Sequence, residues 1–394
     1  MDYSVTAVIP VYNAEKFITY TIDSLLNQTY KLNEIIIVDD CSTDSTINIV
    51  NEYIRGHECL NIRIMRNLEN RGVSYSRNKG IEASTSDWIM FIDADDIAEP
   101  ALVATMLHRY AEHTSSRTED FLLIHSAYRQ MNEEGIVSKQ VTRFMQVEPE
   151  EILGYELVRN HVYLSGTIVK RDALIDCGGF DPLIRYCEDW DLWIKLAHFG
   201  GFIYVDDPLV RIRRHSNNVS RSIKDILQSE KKVISKYSLE FIEKAIKKRH
   251  LPYERNTMDF VNMLYRFDYW NQGFQIILEF MKLNQSYSPS YFFKGLYYIH
   301  NNQIKEAAAC FKEAIHLNPE DAASLNNLGI CLGLIGRQSD AMGCFQRASF
   351  LAEGYMDCSY NIGILNGTEK NGLLLEDFKI TWRELRPVLL KYEI

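Results

Sequence analysis

Several stretches of this 394-residue sequence place carboxylates or basic groups where apolar runs end, positions at which a strand steadies a side chain and a loop exposes it. The run 34–38 leads into Val38-Asp39-Asp40-Cys41-Ser42-Thr43-Asp44-Ser45-Thr46. Asp44 or Ser45 as a helix N-cap accounts for the end of that stretch. It does not account for Asp39-Asp40, and a carboxylate fixed there can accept a hydrogen bond from the N3–H of uracil, which neither cytosine nor a purine presents in the same way. The run 88–92 delivers Asp93-Ala94-Asp95-Asp96. Oxygen-rich pairs of this kind suit Mg2+ or Mn2+ beside substrate phosphates. With 53 acidic residues in the chain, about seven acidic-x-acidic triplets arise by chance, so the strand context is what sets this one apart.

Tyr186-Cys187-Glu188-Asp189-Trp190-Asp191-Leu192-Trp193 follows a Gly178-Gly179-Phe180-Asp181 turn. Three carboxylates in four residues at a helix start favour the helix dipole. Beside the apolar Trp190 and Trp193, one of them could instead serve as a general base toward an acceptor nucleophile. Asn70-Arg71-Gly72-Val73-Ser74-Tyr75-Ser76-Arg77-Asn78-Lys79-Gly80 gathers two Arg and a Lys, which suits a diphosphate, although an exposed basic turn would look the same. Arg211-Ile212-Arg213-Arg214-His215-Ser216-Asn217-Asn218 adds a histidine in a basic loop, placed to reach a metal or phosphates. Val8-Ile9-Pro10-Val11-Tyr12-Asn13-Ala14-Glu15 predicts a strand that stops hydrogen-bonding at Pro10 and opens a polar turn before a helix.

Residues so far apart in sequence need a common frame. From residue 5 to about 210, β-branched or aromatic runs alternate with helical stretches: 5–10, 16–28, 34–38 and 45–55, then apolar runs at 62–65, 88–92, 122–126 and 202–205. This βαβα pattern predicts an α/β domain built on a mainly parallel sheet with helices on both faces. Ligands in such sheets bind beyond the carboxyl ends of the strands. The region 127–180 is expected on the acceptor side of that cleft.

Composition bounds the reading. A 46% hydrophobic and 24% charged chain excludes a fibrous or wholly disordered protein. A formal net charge of −10 disfavours a general nucleic-acid binder. No apolar run approaches bilayer length and the first residues form no signal peptide, so a cytoplasmic protein with at most peripheral membrane contact is expected. The eight cysteines (41, 59, 177, 187, 310, 331, 344 and 358) contain no CxxC pair and are read as reduced thiols, mostly in the core.

After residue 221 the pattern changes to one long helix over 222–252, and 221–249 holds nine Lys/Arg against four Asp/Glu, read as a solvated face and linker. The last third repeats. Gly295, Gly329 and Gly363 are 34 residues apart, as are Ala307/Ala341, Phe311/Phe345 and Ala314/Ala348. Units at 288–321 and 322–355, a degenerate third from Met356 and a weaker copy upstream with Gly273 and Ile277 resemble tetratricopeptide repeats, whose paired helices approach through small residues.

In order along the chain, VIPVYNAE, VDDCSTDST, NRGVSYSRNKG, DADD, GGFD with EDWDLW, and RRHSNNVS resemble glycosyltransferase family 2, the inverting GT-A group, over roughly residues 3 to 220. The resemblance implies a Rossmann-like GT-A domain that binds a nucleotide-diphosphate sugar, most often a UDP-sugar, with Mn2+ or Mg2+. On the matching positions it implies that Pro10, Tyr12 and Asn13 line the nucleotide, Asp40 meets the uracil, Arg77 lies near the diphosphate and Asp93 approaches the ribose. It further implies Asp95 as metal ligand, which His215 would join, and Asp189 as catalytic base, with Asp96, Glu188 and Asp191 secondary. The organisation expected is a GT-A domain over 1–220, a basic helical linker over 221–255 and an all-α tetratricopeptide-like domain over 256–394. Its expected partners are a nucleotide-sugar donor, a glycan or peptide acceptor and, through the repeats, a protein or a second copy. Two other readings stay open: a catalytically inactive nucleotide-sugar-binding scaffold, and a sugar nucleotidyltransferase, which should show a glycine-rich loop where this chain has Pro10-Val11-Tyr12-Asn13.

Overall fold

Every residue of Val5-Thr6-Ala7-Val8-Ile9-Pro10-Val11 is buried, the pattern of a strand covered on both faces. In the computed structural model, which describes residues 3–56, 61–116, 120–215, 223–367 and 373–383, this stretch forms β1 (Val5–Val11). The chain divides into two compact units, Met1–His250 and Leu251–Ile394. In the first, β1 is joined by β2 (Glu34–Asp39), β3 (Ile62–Arg66), β4 (Trp88–Phe91), β5 (Ile97–Ala98), β6 (Phe121–Met131), β7 (Val137–Thr142), β8 (Ile168–Lys170) and β9 (Gly201–Arg213). Among the described residues these strands run in the order β3-β2-β1-β4-β8-β6-β9-β5, with β7 paired to β6. β3, β2, β1 and β4 are parallel, as the βαβα pattern predicts. Beyond β4 the sheet is mixed, because β8 lies antiparallel to both its neighbours while β6 and β9 pair in parallel.

β1 pairs with β2 through Val11↔Asp39, one residue beyond the predicted stop at Pro10. The Val8 carbonyl faces β4, accepting Ile92 N–H, and the Val11 carbonyl faces β2, accepting Asp40 N–H. By that alternation Pro10 faces the β4 side, past the last β1/β4 pair at Val8↔Phe91, so its missing N–H leaves no ladder bond unmade.

The covering helices of this unit are α1 (Ile18–Leu26), α2 (Thr46–Arg55), α3 (Val73–Ala83), α4 (Leu102–Ser116), α5 (Ile152–Val158), α6 (Arg171–Asp176), α7 (Glu188–Leu196), α8 (Ile223–Ile234) and α9 (Leu239–Lys247). α3 sits close on the sheet because Gly80 has no side chain; a Cβ there would lie 2.4 Å from Val8 Cγ1. The long helix expected over 222–252 is two, since the Ser238 hydroxyl accepts the Phe241 N–H and caps α9. Both belong to the first unit. Lys236 bridges Asp181 and Asp191, and the Ala245 carbonyl of α9 fits against Gly154 of α5, where a Cβ would lie 2.4 Å away. Of the linker expected over 221–255, residues 223–250 are thus two helices and their turns within the first unit, with the Lys236 charge consumed by Asp181 and the buried Asp191.

The second unit is helical: α10 (Tyr253–Arg266), α11 (Trp270–Met281), α12 (Ser288–His300), α13 (Ile304–Leu317), α14 (Ala322–Leu334), α15 (Gln338–Leu351) and α16 (Met356–Gly367). The 34-residue period has its physical counterpart in the α12/α13 and α14/α15 pairs. A Cβ on Gly295 would come within 2.7 Å of the Phe311 ring, and one on Gly329 within 2.6 Å of the Phe345 ring. Gly363, in the same register, has no atom within 4 Å of that position, so here the repeat keeps the residue and loses the contact. Among the described residues no helix is long and apolar enough to cross a membrane. Cys310, Cys331 and Cys358 are buried thiols; Cys59 and the Ser216 to Ser220 part of the RRHSNNVS motif lie outside the described residues.

This difference gives opposite signs to one substitution. Gly329→Ala should destabilise the helical unit by about 1–3 kcal/mol through overpacking, whereas Gly363→Ala should stabilise it by about 0.5–1 kcal/mol through helix propensity. Urea unfolding of the two variants measures both; equal effects would contradict the packing account.

Candidate active site

The polar residues singled out by sequence lie at or just beyond strand ends, as Asp39, Asp40, Asp93, Asp95 and His215 do, or in the helices α3 and α7, as Arg77 and Asp189 do. Asn13 adopts a left-handed backbone conformation (φ 52°), which turns its side chain across the first loop. Its Oδ1 accepts the Thr43 N–H at 2.8 Å, and Ser42 Oγ accepts the Asn13 N–H at 3.0 Å, so the loops after β1 and β2 are stitched together. Pro10 is buried in β1, and the Tyr12 ring is exposed above it. Asp39 is spent locally: Oδ1 accepts the Ser42 N–H and Oδ2 pairs with Arg66 Nε at 3.0 Å. Asp40 is buried and caps the approach to α3, its oxygens accepting Arg71 N–H (2.9 Å), Gly72 N–H (2.7 Å) and Asn67 Nδ2 (2.8 Å). A carboxylate has about four acceptor positions, so among the described residues Asp40 retains one, on Oδ2.

The basic cluster of the third motif is dispersed. Arg71 is exposed with its guanidinium 3.8 Å over the Tyr75 ring. Lys79 Nζ is held by the Arg66 carbonyl and Asn67 Oδ1. Arg77 is buried, and its fork spans two acidic motifs: Nη2 donates to Asp93 Oδ1 at 2.8 Å and Nη1 to Glu188 Oε1 at 2.7 Å. The carboxylates outweigh the desolvation of the guanidinium and hold its pKa above the ordinary value. Residues 93 and 188 are thereby clamped to one side chain.

The same clamp orients α7. Cys187 precedes it in the left-handed region (φ 60°), and Asn78 of α3 grips the turn before it, Oδ1 accepting the Phe180 N–H and Nδ2 donating to the Phe180 carbonyl. The three carboxylates of the EDWD stretch then meet three fates. Glu188 pairs with Arg77, and fully buried Asp191 pairs with Lys195 and Lys236. Among the described residues no cation pairs with Asp189, whose oxygens take the Asn160 Nδ2 at 3.0 Å and its neighbour's Trp190 N–H at 2.7 Å. Burial, with the adjacent Glu188 charge, raises the Asp189 carboxyl to about 7.

On the acidic loop, Asp95 Oδ2 and His215 Nε2 meet at 2.8 Å although 120 residues separate them in the chain. Burial and the Asp93 charge push the Asp95 carboxyl up, with the His215 contact pulling it back. Asp96 is buried and structural: its Oδ1 accepts the Arg213 N–H, while Arg213 Nε donates to the Asp95 carbonyl, fixing the end of β9 to the loop. Among the described residues no third His, Cys, Asp or Glu completes a metal-binding group. One carboxylate and one imidazole still fit a divalent cation that takes its remaining ligands from substrate oxygens and water, as Mg2+ commonly does.

A family model described as Glycosyl transferase family 2 matches residues 6–118, and tetratricopeptide repeat models match 288–321 and 310–343. Over 220 residues the chain is 38% identical to the Bacillus subtilis (strain 168) protein named "Putative teichuronic acid biosynthesis glycosyltransferase TuaG", an alignment that covers 55% of this chain and 81% of that one. The chain belongs to glycosyl transferase family 2. It is also 27% identical over 244 residues to an uncharacterized glycosyltransferase of Haemophilus influenzae, covering 60% of this chain and 78% of that one. Among solved structures, S. aureus TarS 1–349 in complex with UDP-GlcNAc aligns over 88% of this chain and 91% of that one, with a TM-score of 0.49 and 17% identity.

The family-2 domain therefore brings Asp93, Arg77 and Glu188 into direct contact and Asp95 and His215 into another, with Asp189 one residue from the clamp. Sequence reasoning missed Asn78, Asn160 and Arg213. Asn78 lies inside a motif already marked, whereas Asn160 sits in an aperiodic loop that carries no signal. Arg77→Lys should test the clamp, because an ammonium keeps the charge but cannot span both carboxylates. A loss on the order of 3 kcal/mol in unfolding free energy is expected from leaving one buried partner unmatched; an unchanged unfolding midpoint would show that the fork carries no load.

Proposed function

We propose that this chain transfers a sugar from a nucleotide-diphosphate sugar, a UDP-sugar in the first instance, to an acceptor hydroxyl or thiol with inversion at the anomeric carbon. The observation that carries this reading is Asp189: at the start of α7, with no cation paired to it among the described residues, raised to about 7, and tied through Glu188 and Arg77 to the acidic loop. In the step proposed, the acceptor oxygen or sulfur forms a bond to the anomeric carbon as the carbon–oxygen bond to the diphosphate breaks. The bonding pair departs with the diphosphate and the acceptor proton passes to Asp189. Asp95 and His215 are the residues that would hold a divalent cation, which when bound supplies charge neutralisation to the leaving group.

The donor side is assigned to Pro10, Tyr12, Asn13, Asp40 and Asp93. Tyr12 offers an exposed ring, and Asp40 keeps an acceptor position for a uracil N3–H. Arg77, expected near the diphosphate, is assigned the positioning of Asp93 and the α7 start, because both of its Nη groups are committed to carboxylates. The relation to TuaG favours a glycan acceptor, and the reading keeps the enzyme in the cytoplasm with at most peripheral membrane contact. An inactive scaffold is disfavoured by the uncompensated Asp189 carboxylate, which a protein without catalysis has no reason to keep buried.

Asp189→Asn should lower kcat by about 10²–10⁴ while UDP affinity stays close to wild type; near-wild-type turnover in that variant removes the assignment. The base acts deprotonated, so kcat/KM should rise with pH through about 7 and level off above it. A carboxyl raised in the folded state opposes folding once ionised, with stability falling from the ordinary carboxyl range up to about pH 7. Asp189→Asn should consequently melt higher than wild type at pH 8, an effect a merely folding-essential residue would not produce. Chelation should abolish transfer and Mn2+ or Mg2+ restore it; full rate in excess chelator would remove the role given to Asp95 and His215.

A further inference from the structure

One short stretch between α5 and β8 is bonded at its two ends to opposite halves of the acidic cleft. At the first end Asn160 Nδ2 donates to Asp189 Oδ2 at 3.0 Å, while its Oδ1 accepts the Val162 N–H at 3.0 Å and so fixes which way the amide faces. At the other end Ser165 Oγ accepts the Asp93 N–H at 3.1 Å, and the Gly166 N–H donates to the Phe91 carbonyl at 2.7 Å, where β4 stops. Residues 160–165 thus run from the proposed base to the acidic loop. Val162 and Leu164 are buried, and Tyr163 between them is half-buried. Its ring leans on that of Tyr128 from β6, with centroids 4.9 Å apart.

Among the described residues no group hydrogen-bonds the Tyr163 hydroxyl, although a phenol removed from water normally finds a partner. Burial and the Asp96 charge push it well above its ordinary pKa against the pull of Arg214, so it stays protonated and able to donate. The proposed displacement says what fills the space beside it. The acceptor atom attacks from the Asp189 side and the diphosphate leaves toward Asp95 and His215, so the donor's sugar ring must lie between them. Residues 160–165 border that span. A sugar ring offers mainly hydroxyls for recognition, and a site selects among sugars by setting hydrogen-bond partners against them. Tyr163 is the side chain of the stretch suited to this. Asn160 is engaged at both ends of its amide, Ser165 is buried and bonded to Asp93, and His161 Nδ1 contacts the Arg159 carbonyl at 2.7 Å. A tyrosine hydroxyl both donates and accepts.

We propose that Tyr163 is a specificity residue, its hydroxyl bonding a hydroxyl of the donor's sugar ring, and that residues 160–165 form the wall that decides which hexose the cleft accepts. This rests on the proposed transfer reaction and adds to it a contact for the sugar end of the donor, apart from the residues assigned to the nucleotide.

The test is calorimetric binding to the full chain, with Mn2+ and without an acceptor, of UDP, UDP-glucose, UDP-galactose and UDP-N-acetylglucosamine. Tyr163→Phe should weaken the preferred UDP-sugar by about three- to tenfold, the worth of one neutral hydrogen bond, and change UDP by less than about twofold, so that the preference among the sugars narrows. Unchanged sugar binding overturns the proposal, because water is then the hydroxyl's only partner. Equal weakening of UDP and UDP-sugar also overturns it, because the change is then felt by the nucleotide and not by the sugar. The urea midpoint of the variant should not fall, since no bond within the protein is removed; a clear fall would make the hydroxyl structural and remove the assignment. Among monodeoxy forms of the preferred donor, one should bind the two proteins alike, and a full difference with every form rules out the direct contact. A wild type that binds none of these ligands defeats the UDP-sugar reading itself and this inference with it, an outcome distinct from a wild type that binds them and a variant that binds them equally well.

Discussion

One guanidinium organises the catalytic half of this molecule. Arg77 is nearly inaccessible to solvent, and its planar fork reaches Asp93 on the acidic loop and Glu188 at the head of α7. A buried cation is tolerated only when its donors are met by carboxylates, so folding the helix α3 onto β1 obliges two distant acidic motifs to come to it. Gly80 permits that close approach, and the bidentate Asn78 contact to Phe180 brings the turn before α7 into the same place.

The consequence is electrostatic sorting. Acidic residues adjacent in sequence end in different states because each finds a different neighbour. Glu188 and Asp191 are neutralised by Arg77 and by Lys195 with Lys236, whereas Asp189 receives hydrogen bonds from neutral groups and is raised to about 7. Cations pair with two of the three. Lys236 lies in the turn between α8 and α9, in the stretch that composition marked as a basic linker, so that part of its charge has a defined task within the first unit.

The helical unit applies the same economy of repeated spacing to packing and polar contacts. Gly295 and Gly329 admit the Phe311 and Phe345 rings at one repeat position, and Asn327 and Asn361 meet backbone at another. Where the period survives without its contact, as at Gly363, the residue has lost its packing role while the register persists.

Much of this was legible in the amino-acid order. Short β-branched or aromatic runs located β1 to β4 within a residue and only the first part of β6 and β9, the 34-residue identities announced paired helices, and the ordered motifs marked the segments that bear Asp40, Asp93, Asp95, Asp189 and His215. Local chemistry suffices for these, since a strand end, a helix cap or a repeat is determined by near neighbours. Partner choice was decided only by the tertiary structure. The motif containing Arg77 reads as a phosphate cluster until folding buries the guanidinium between carboxylates, and nothing in Glu188-Asp189-Trp190-Asp191 says which acid will lack a cation. Coulomb and desolvation energies depend on distances between residues far apart in the chain, 111 positions for Arg77 and Glu188 and 120 for Asp95 and His215, and those distances exist only once the sheet has closed.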